Sequence, residues 1–450
     1  MSSKSKAFFD LFFRNNKEYI ILIIFAICYR LILNLFLYDK IIIENDTVTY
    51  QNLAARIADF NLFGYNGERT PGYPFLLLLA GNSVKVVVLY QHILGIISAL
   101  FWYKTILNFN FSKKNSLWIV LFLQSFLNLY FYESVILVES FCLFFLSIVF
   151  YFISNNYIDN QSFKIDVLMS FLLGFLTLIK PFFAFIPFII YGFIVVKNFN
   201  FRRIVNRRII VVFFSLISYF GWSFVNKINT GTFTSSTFLG FNLAQNCVYF
   251  AEKSPKEFQW IYEPYAKRRD LILEKDKNAS AAMAILEIYT IGVYDYKNLS
   301  FAQLSNELAK YSIETIKSNP KEYAKQVVTK SWLYFWRPNI AMDITGFKSK
   351  NQQLVFDSVW FVQRKLLNIF KYGFILLVPF YFYKFFKNKI ITNEFILVTI
   401  VFFTSVLQGL ITYGTNARYS FPFEYIMILV GILFIKNHIK LPKFLSTFLQ

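Results

Sequence analysis

The chain has 450 residues, of which 56% are hydrophobic and 16% charged, and a formal net charge of +20. Soluble domains carry about 25% charged residues, so the composition excludes an ordinary soluble enzyme. The cationic excess does not indicate nucleic acid: no basic helix with interleaved stacking aromatics occurs, and the cations cluster in short loops between apolar runs, where the positive-inside rule puts them.

Apolar runs recur from end to end. Ten spans are expected, at 20–38, 84–103, 116–131, 135–154, 166–180, 181–196, 209–226, 370–386, 394–412 and 420–436. The first lacks a small-residue cleavage site and reads as a retained span. The fifth and sixth are short and broken at Lys180-Pro181, since proline interrupts a helix and restricts the residue before it. With the N-terminus (Lys4, Lys6, Arg14, Lys17) in the cytoplasm, the loops carrying Lys113 and Lys114, Arg202, Arg203, Arg207 and Arg208, and Lys384, Lys387 and Lys389 fall on the same side. So does the tail with Lys436, Lys440 and Lys443. The expected fold is therefore an all-α polytopic membrane protein, with both termini cytoplasmic and segments 39–83 and 227–369 outside, consistent with a bacterial plasma membrane.

Three regions follow: a membrane module over 1–226 with a polar first outer loop at 39–83, a helical extracytoplasmic insert at 227–369, and C-terminal spans with a basic tail at 370–450. In the insert, Ser300 and Gln303 predict a capping box before an apolar face of Phe301, Leu304, Leu308 and Tyr311. Asn319, Pro320 and Glu322 predict a second helix start.

Metal and thiol chemistry have little support. Cys28, Cys142 and Cys247 form neither a disulfide framework nor a CxxC pattern. His92 and His438 are too distant in sequence to suggest a histidine metal site or a Ser-His-Asp triad. No phosphate-binding glycine motif disposes the chain to a nucleotide substrate.

The polar chemistry lies at span ends. Asp46 follows the first span, and Tyr50, Leu53, Ile57 and Phe60 recur after it at helical spacing. That pattern predicts an amphipathic helix lying in the membrane interface. Asp46 at its start is either a general base for an acceptor hydroxyl or a helix cap. In "ERTPGYP", Gly72 and the prolines predict a turn. Arg69 there can grip a phosphate in bidentate fashion or snorkel among head groups. Glu133 and Glu139 flank the outer start of the fourth span, where a carboxylate can orient a sugar hydroxyl, pair with a cation or help hold a divalent ion. Lys180, Arg337 and Arg418 are expected on the same face. That face suits a substrate with a phosphate head and a lipid tail.

The order of these features resembles a known family. It comprises "D-x-x-x-Y-x-x-x-A" (Asp46, Tyr50, Ala54), "R-x-P-G-Y-P" (Arg69 to Pro74, including Tyr73), "V-E" (Val138, Glu139), "K-P" (Lys180, Pro181), "N-P-x-x-Y" (Asn319 to Tyr323) and "R-Y-x-x-P" (Arg418, Tyr419, Pro422). The chain is similar to the GT-C superfamily of membrane glycosyltransferases, in the branch of protein O-mannosyltransferases and lipid A aminoarabinose transferases. The resemblance implies a sugar donor on polyprenyl phosphate, Asp46 as general base, and one inverting displacement. It implies Arg69, Lys180 and Arg418 as contacts of the lipid phosphate; Tyr50, Tyr73, Glu139, Arg337 and Tyr419, placed on the same outer face, are the further candidate substrate contacts. The acceptor is a glycolipid, a surface polysaccharide or a protein; no cofactor is assigned, and a divalent cation is a candidate. Two departures stand out: Thr47 replaces an acidic residue frequent in relatives, and lysine precedes Pro181 where arginine is frequent. The rival reading is a flippase for a lipid-linked saccharide, which predicts ionisable residues at mid-bilayer depth and two related halves.

Overall fold

A computed structural model describes residues 16–159, 162–197 and 206–439. The basic residues expected in the cytoplasm at 4, 6, 14, 202, 203, 440 and 443 lie outside them. The regular elements of the described residues are all helices, with no β-strand. Six helices are long and apolar enough to cross a membrane: Lys17–Leu37, Val84–Asn108, Arg207–Thr230, Lys350–Asn388, Asn393–Ile411 and Asn416–His438. Two shorter apolar helices cover Glu139–Ser154 and Pro181–Lys197.

We number the elements used below in chain order. Helix α1 (Lys17–Ile32) ends in a π-turn at Leu33–Leu37. The first loop holds α2 (Asn45–Ala58) and α3 (Gly72–Leu79). Helices α4 (Val84–Asn108), α5 (Lys113–Gln124), α6 (Leu127–Ser134), α7 (Glu139–Ser154), α8 (Phe163–Ile179), α9 (Ile186–Lys197) and α10 (Ile210–Thr230) complete the first half. The expected span at 116–131 is thus two short helices. Every residue of α6 is buried, and its polar side chains Asn128 and Glu133 are matched by partners inside the bundle. The break between the fifth and sixth segments is where Pro181 put it: α8 stops at Ile179, and Lys180 is extended at φ −150°, ψ 106°.

The insert has its own core. Helices α11 (Leu239–Gln245), α12 (Gln259–Lys275), α13 (Ala284–Thr290) and α14 (Phe301–Ser318) enclose Phe241, Ile261, Tyr265, Ile285, Leu304, Leu308 and Tyr311. Ser300 and Gln303 make the expected capping box, and Leu304, Leu308 and Tyr311 are its buried face. The second expected start is in place, with Asn319 as the N-cap residue, but its capping box is not formed. Pro320 does start α15 (Pro320–Gln326), but Asn319 donates to the carbonyls of Lys253 and Thr315, and Glu322 pairs with Lys253 at 2.5 Å. The lysine's charge outcompetes the backbone N–H for that carboxylate. Helix α16 (Lys350–Asn388) is continuous for 39 residues, so the expected boundary at residue 369 falls inside it. At 1.5 Å per residue it is about 58 Å long, well beyond the roughly 30 Å of a bilayer core. Helices α17 (Asn393–Ile411), α18 (Asn416–Ser420) and α19 (Glu424–His438) close the chain.

Two ion-paired groups lie inside the bundle rather than at its ends. Arg30 of α1 is held by both oxygens of Glu133, at 2.7 and 2.6 Å, and His92 Nδ1 is 2.8 Å from the same carboxylate. Glu133 is therefore a clasp between α1, α4 and α6, taking the cation-pairing role among those its position allowed. Lys371 of α16 meets Glu424 at 2.6 Å and donates to Ser420 at 2.7 Å, while Asn128 donates to the other Glu424 oxygen at 2.7 Å.

Candidate active site

The first loop is fixed to the bundle by a short parallel bridge. Ile42 N–H donates to Ser134 O at 3.1 Å and Ile136 N–H to Ile42 O at 3.2 Å. Glu44, in extended conformation, is the N-cap residue of α2. Thr47 is used locally: its Oγ1 accepts from Glu44 N–H at 3.0 Å and donates to Ile136 O at 3.1 Å. Asp46 is therefore not the cap. It sits in the first turn of α2 with its carboxylate free to face the bundle. The buried side of α2 is Thr47, Tyr50, Leu53 and Ala54, and it packs on protein, chiefly α3. Phe60, the last residue of the expected apolar face, is 98% exposed beyond the helix end.

The turn before α3 is pinned from three sides. Arg69 N–H donates to Tyr65 Oη at 2.6 Å, and Trp222 Nε1 of α10 donates to Arg69 O at 3.0 Å. Ser236 and Thr237, at the start of the insert, bond the carbonyls of Glu68 and Asn66 at 2.8 and 2.9 Å. The motif is a helix start rather than a free turn, because prolines are tolerated in a first turn: Pro71 is the N-cap and Gly72 opens α3. A Cβ at Gly72 would lie 2.5 Å from Ile179 N and 2.7 Å from Leu178 O. Glycine here allows the close approach that sets Arg69 beside the end of α8 and Lys180.

These contacts bring five residues into one cluster. Arg69 reaches Asp46 Oδ1 at 2.7 Å, and Arg418 reaches Asp46 Oδ2 at 2.9 Å. Arg418 Nε lies 3.0 Å from Glu139 Oε1, and Lys180 Nζ lies 3.9 Å from the same atom. The Arg418–Glu139 approach is close but off the hydrogen-bond direction, so both buried Glu139 oxygens accept no hydrogen bond among the described residues. Lys180 stands over the Tyr419 ring, 3.0 Å from its centre. Arg69 lies 4.8 Å from the ring centres of both Tyr50 and Phe238, and its Nε donates to Thr49 Oγ1 at 2.7 Å.

Burial alone would raise the Asp46 pKa. The Arg69 and Arg418 guanidiniums overcome it and hold the carboxyl well below the ordinary range. Glu44 and Glu68 go the other way: burial pushes both up, against Arg418 and Arg69 respectively.

Of the residues singled out from sequence, Asp46, Arg69, Glu139, Lys180, Arg418, Tyr50 and Tyr419 meet here. Tyr73 is fully buried beneath Tyr50, with 5.1 Å between ring centres, and donates to Gln91 Oε1 at 2.9 Å. It supports the site from below. Arg337 does not join the cluster: it is exposed, its guanidinium 5.1 Å from the Tyr334 ring centre. Phe238 and Thr49 are additions. Nothing in the sequence separates Phe238 from the other 57 phenylalanines. As to a divalent ion, no group of three or more His, Cys, Asp or Glu side chains occurs among the described residues, and the two carboxylates present already face cations. No family model and no curated protein matches the sequence.

Proposed function

We propose that the protein is a membrane glycosyltransferase of GT-C type, moving a sugar from polyprenyl phosphate to a hydroxyl acceptor on the extracytoplasmic side. The observation that carries this reading is the convergence of Asp46 and Glu139 with Arg69, Arg418 and Lys180 from five separate elements. The acceptor hydroxyl gives its proton to the Asp46 carboxylate as its oxygen attacks the anomeric carbon. The bond from that carbon to the phosphate oxygen breaks on the opposite face, and its electron pair leaves with the phosphate. The configuration therefore inverts. Three cations against two carboxylates leave one positive charge, which suits a phosphodiester donor and stabilises the charge growing on the departing phosphate. The unsatisfied oxygens of Glu139 suit sugar hydroxyls. Counting the shorter helices α5–α6, α7, α8 and α9 as crossings with the six long ones gives ten spans, with both termini in the cytoplasm.

The test is transfer from a lipid-linked sugar by purified protein in nanodiscs. Asp46→Asn should lose activity by at least 10²-fold, and equal transfer by both proteins sinks the reading. The flippase reading draws on Arg30, Glu133, Lys371 and Glu424 inside the helices. Each of these is paired within the bundle, which suits a structural clasp. Movement of a lipid-linked sugar across liposomes without glycosidic product would favour the flippase.

A further inference from the structure

Asp46 is in an awkward state for a base. Each of its oxygens is taken by a different guanidinium, at 2.7 and 2.9 Å. An acceptor hydroxyl must donate to one of those oxygens, and two adjacent cations weaken the carboxylate's hold on a proton. The arginines, by contrast, are held at more than one point. Arg69 is steadied by Thr49 Oγ1 and by the faces of Tyr50 and Phe238. Arg418 has Glu139 beside its Nε. Both can turn their outer nitrogens away from Asp46 without losing every partner. A phosphate offers guanidinium the same bidentate geometry as a carboxylate, so it can replace Asp46 without stranding a buried cation.

We propose that Arg69 and Arg418 form a phosphate-operated lock on Asp46: the free protein keeps Asp46 engaged, and the phosphate of a bound lipid draws both arginines away and releases the carboxylate for the acceptor. This rests on the donor reading above and extends it. It makes Asp46 a competitor of the donor phosphate, and it makes binding ordered, with the phosphate lipid before acceptor activation. Water or a stray hydroxyl meets no free base in the unloaded site.

The competition can be measured without turnover. Polyprenyl phosphate is titrated into wild type and Asp46→Asn in nanodiscs, with phosphatidylglycerol and inorganic phosphate as parallel ligands. Removing the competing charge should tighten polyprenyl phosphate binding on the order of 10-fold. Unchanged or weaker binding by the variant overturns the lock and leaves the donor reading standing if wild type binds the lipid. An equal gain for phosphatidylglycerol or inorganic phosphate keeps the lock and removes the donor reading. No binding of any of the three overturns both. Asp46→Asn leaves two arginines short of a partner, so a second measurement uses wild type alone. With aspartate labelled by ¹³C at the carboxyl, infrared difference spectra should show one carboxylate band shifting as polyprenyl phosphate saturates the protein. A spectrum that does not change at saturation overturns the lock.

Discussion

Gly72→Ala tests whether the close approach of α3 to α8 sets the site. The added Cβ would lie 2.5, 2.6 and 2.7 Å from Ile179 N, Leu178 C and Leu178 O, where ordinary contact begins at 3.4 Å. All three atoms are backbone, so no side chain can swing aside, and the helices must part by about 1 Å. Overpacking of this kind costs about 1–3 kcal/mol, which a protein of this size survives. The functional effect should be larger. Arg69 lies three residues before Gly72 and Lys180 one residue after Ile179, so the same movement separates two cations of the cluster. A 1 Å misplacement costs on the order of 10²-fold in rate. The assay pairs thermal unfolding in detergent with sugar transfer, against Gly192→Ala, whose Cβ meets nothing within 4 Å. A folded Gly72→Ala protein with more than half of wild-type transfer would falsify the claim that this contact sets the cation spacing.

Other outcomes follow from the same geometry. Arg337→Gln should change transfer less than 2-fold, about the size of an exposed charge effect; a loss as deep as that of Arg418→Gln in the same assay would put Arg337 back in the site. Lys371→Met strands Glu424 in the bundle and should cost about 3–5 kcal/mol, read as lost monodisperse yield, with Lys371→Met/Glu424→Met restoring most of it; no recovery in the double variant refutes the clasp. The folded-state pKa of Asp46 is depressed by its arginines. Its contribution to stability is therefore present above the unfolded value of 3.8 and is lost only as pH falls through the lower folded value. The acid limb of kcat/KM, which reports the free enzyme, should accordingly lie below the ordinary carboxylate range. If the phosphate lock operates, the acid limb of kcat, which reports the loaded enzyme, should lie higher; the reverse order would contradict it. Besides Arg69 and Arg418, Glu139, Glu44 and Tyr50 act on that cluster.

Much of the site was legible because charge is conspicuous in an apolar chain. Asp46, Arg69, Glu139, Lys180 and Arg418 stand out wherever hydrophobic runs surround them, since an ionisable group near a bilayer must have a partner. What the sequence could not supply was the pairing. Glu133 and Glu139 lie six residues apart and look alike, yet Glu133 falls within α6, facing Arg30 and His92, while Glu139 begins α7 beside Arg418. The difference arises from the bridge of Ile42 with Val135, which redirects the chain between the two helices. That contact joins segments more than ninety residues apart, so no local pattern records it. The apolar face after Asp46 packs on α3: periodicity reports that a face is buried, not what covers it.

Thr47 completes this account. Set beside the GT-C enzymes that the sequence resembles, where a second carboxylate is frequent at that position, it reads as a missing catalytic group. Its hydroxyl instead joins the N–H of Glu44 to the carbonyl of Ile136. It thereby ties the first turn of α2 to the segment leading into Glu139, fixing Asp46 and Glu139 relative to each other. A carboxylate at this position could accept from Glu44 but could not donate to Ile136 O while ionised, and would add a further negative charge next to Glu44 and Asp46. Thr47→Val removes both bonds while keeping the shape. If the threonine works by position alone, that substitution should lower transfer by up to about 30-fold, the equivalent of two hydrogen bonds of roughly 1 kcal/mol each, with the kcat pH profile unmoved. A displaced profile would mean that the hydroxyl takes part in proton transfer.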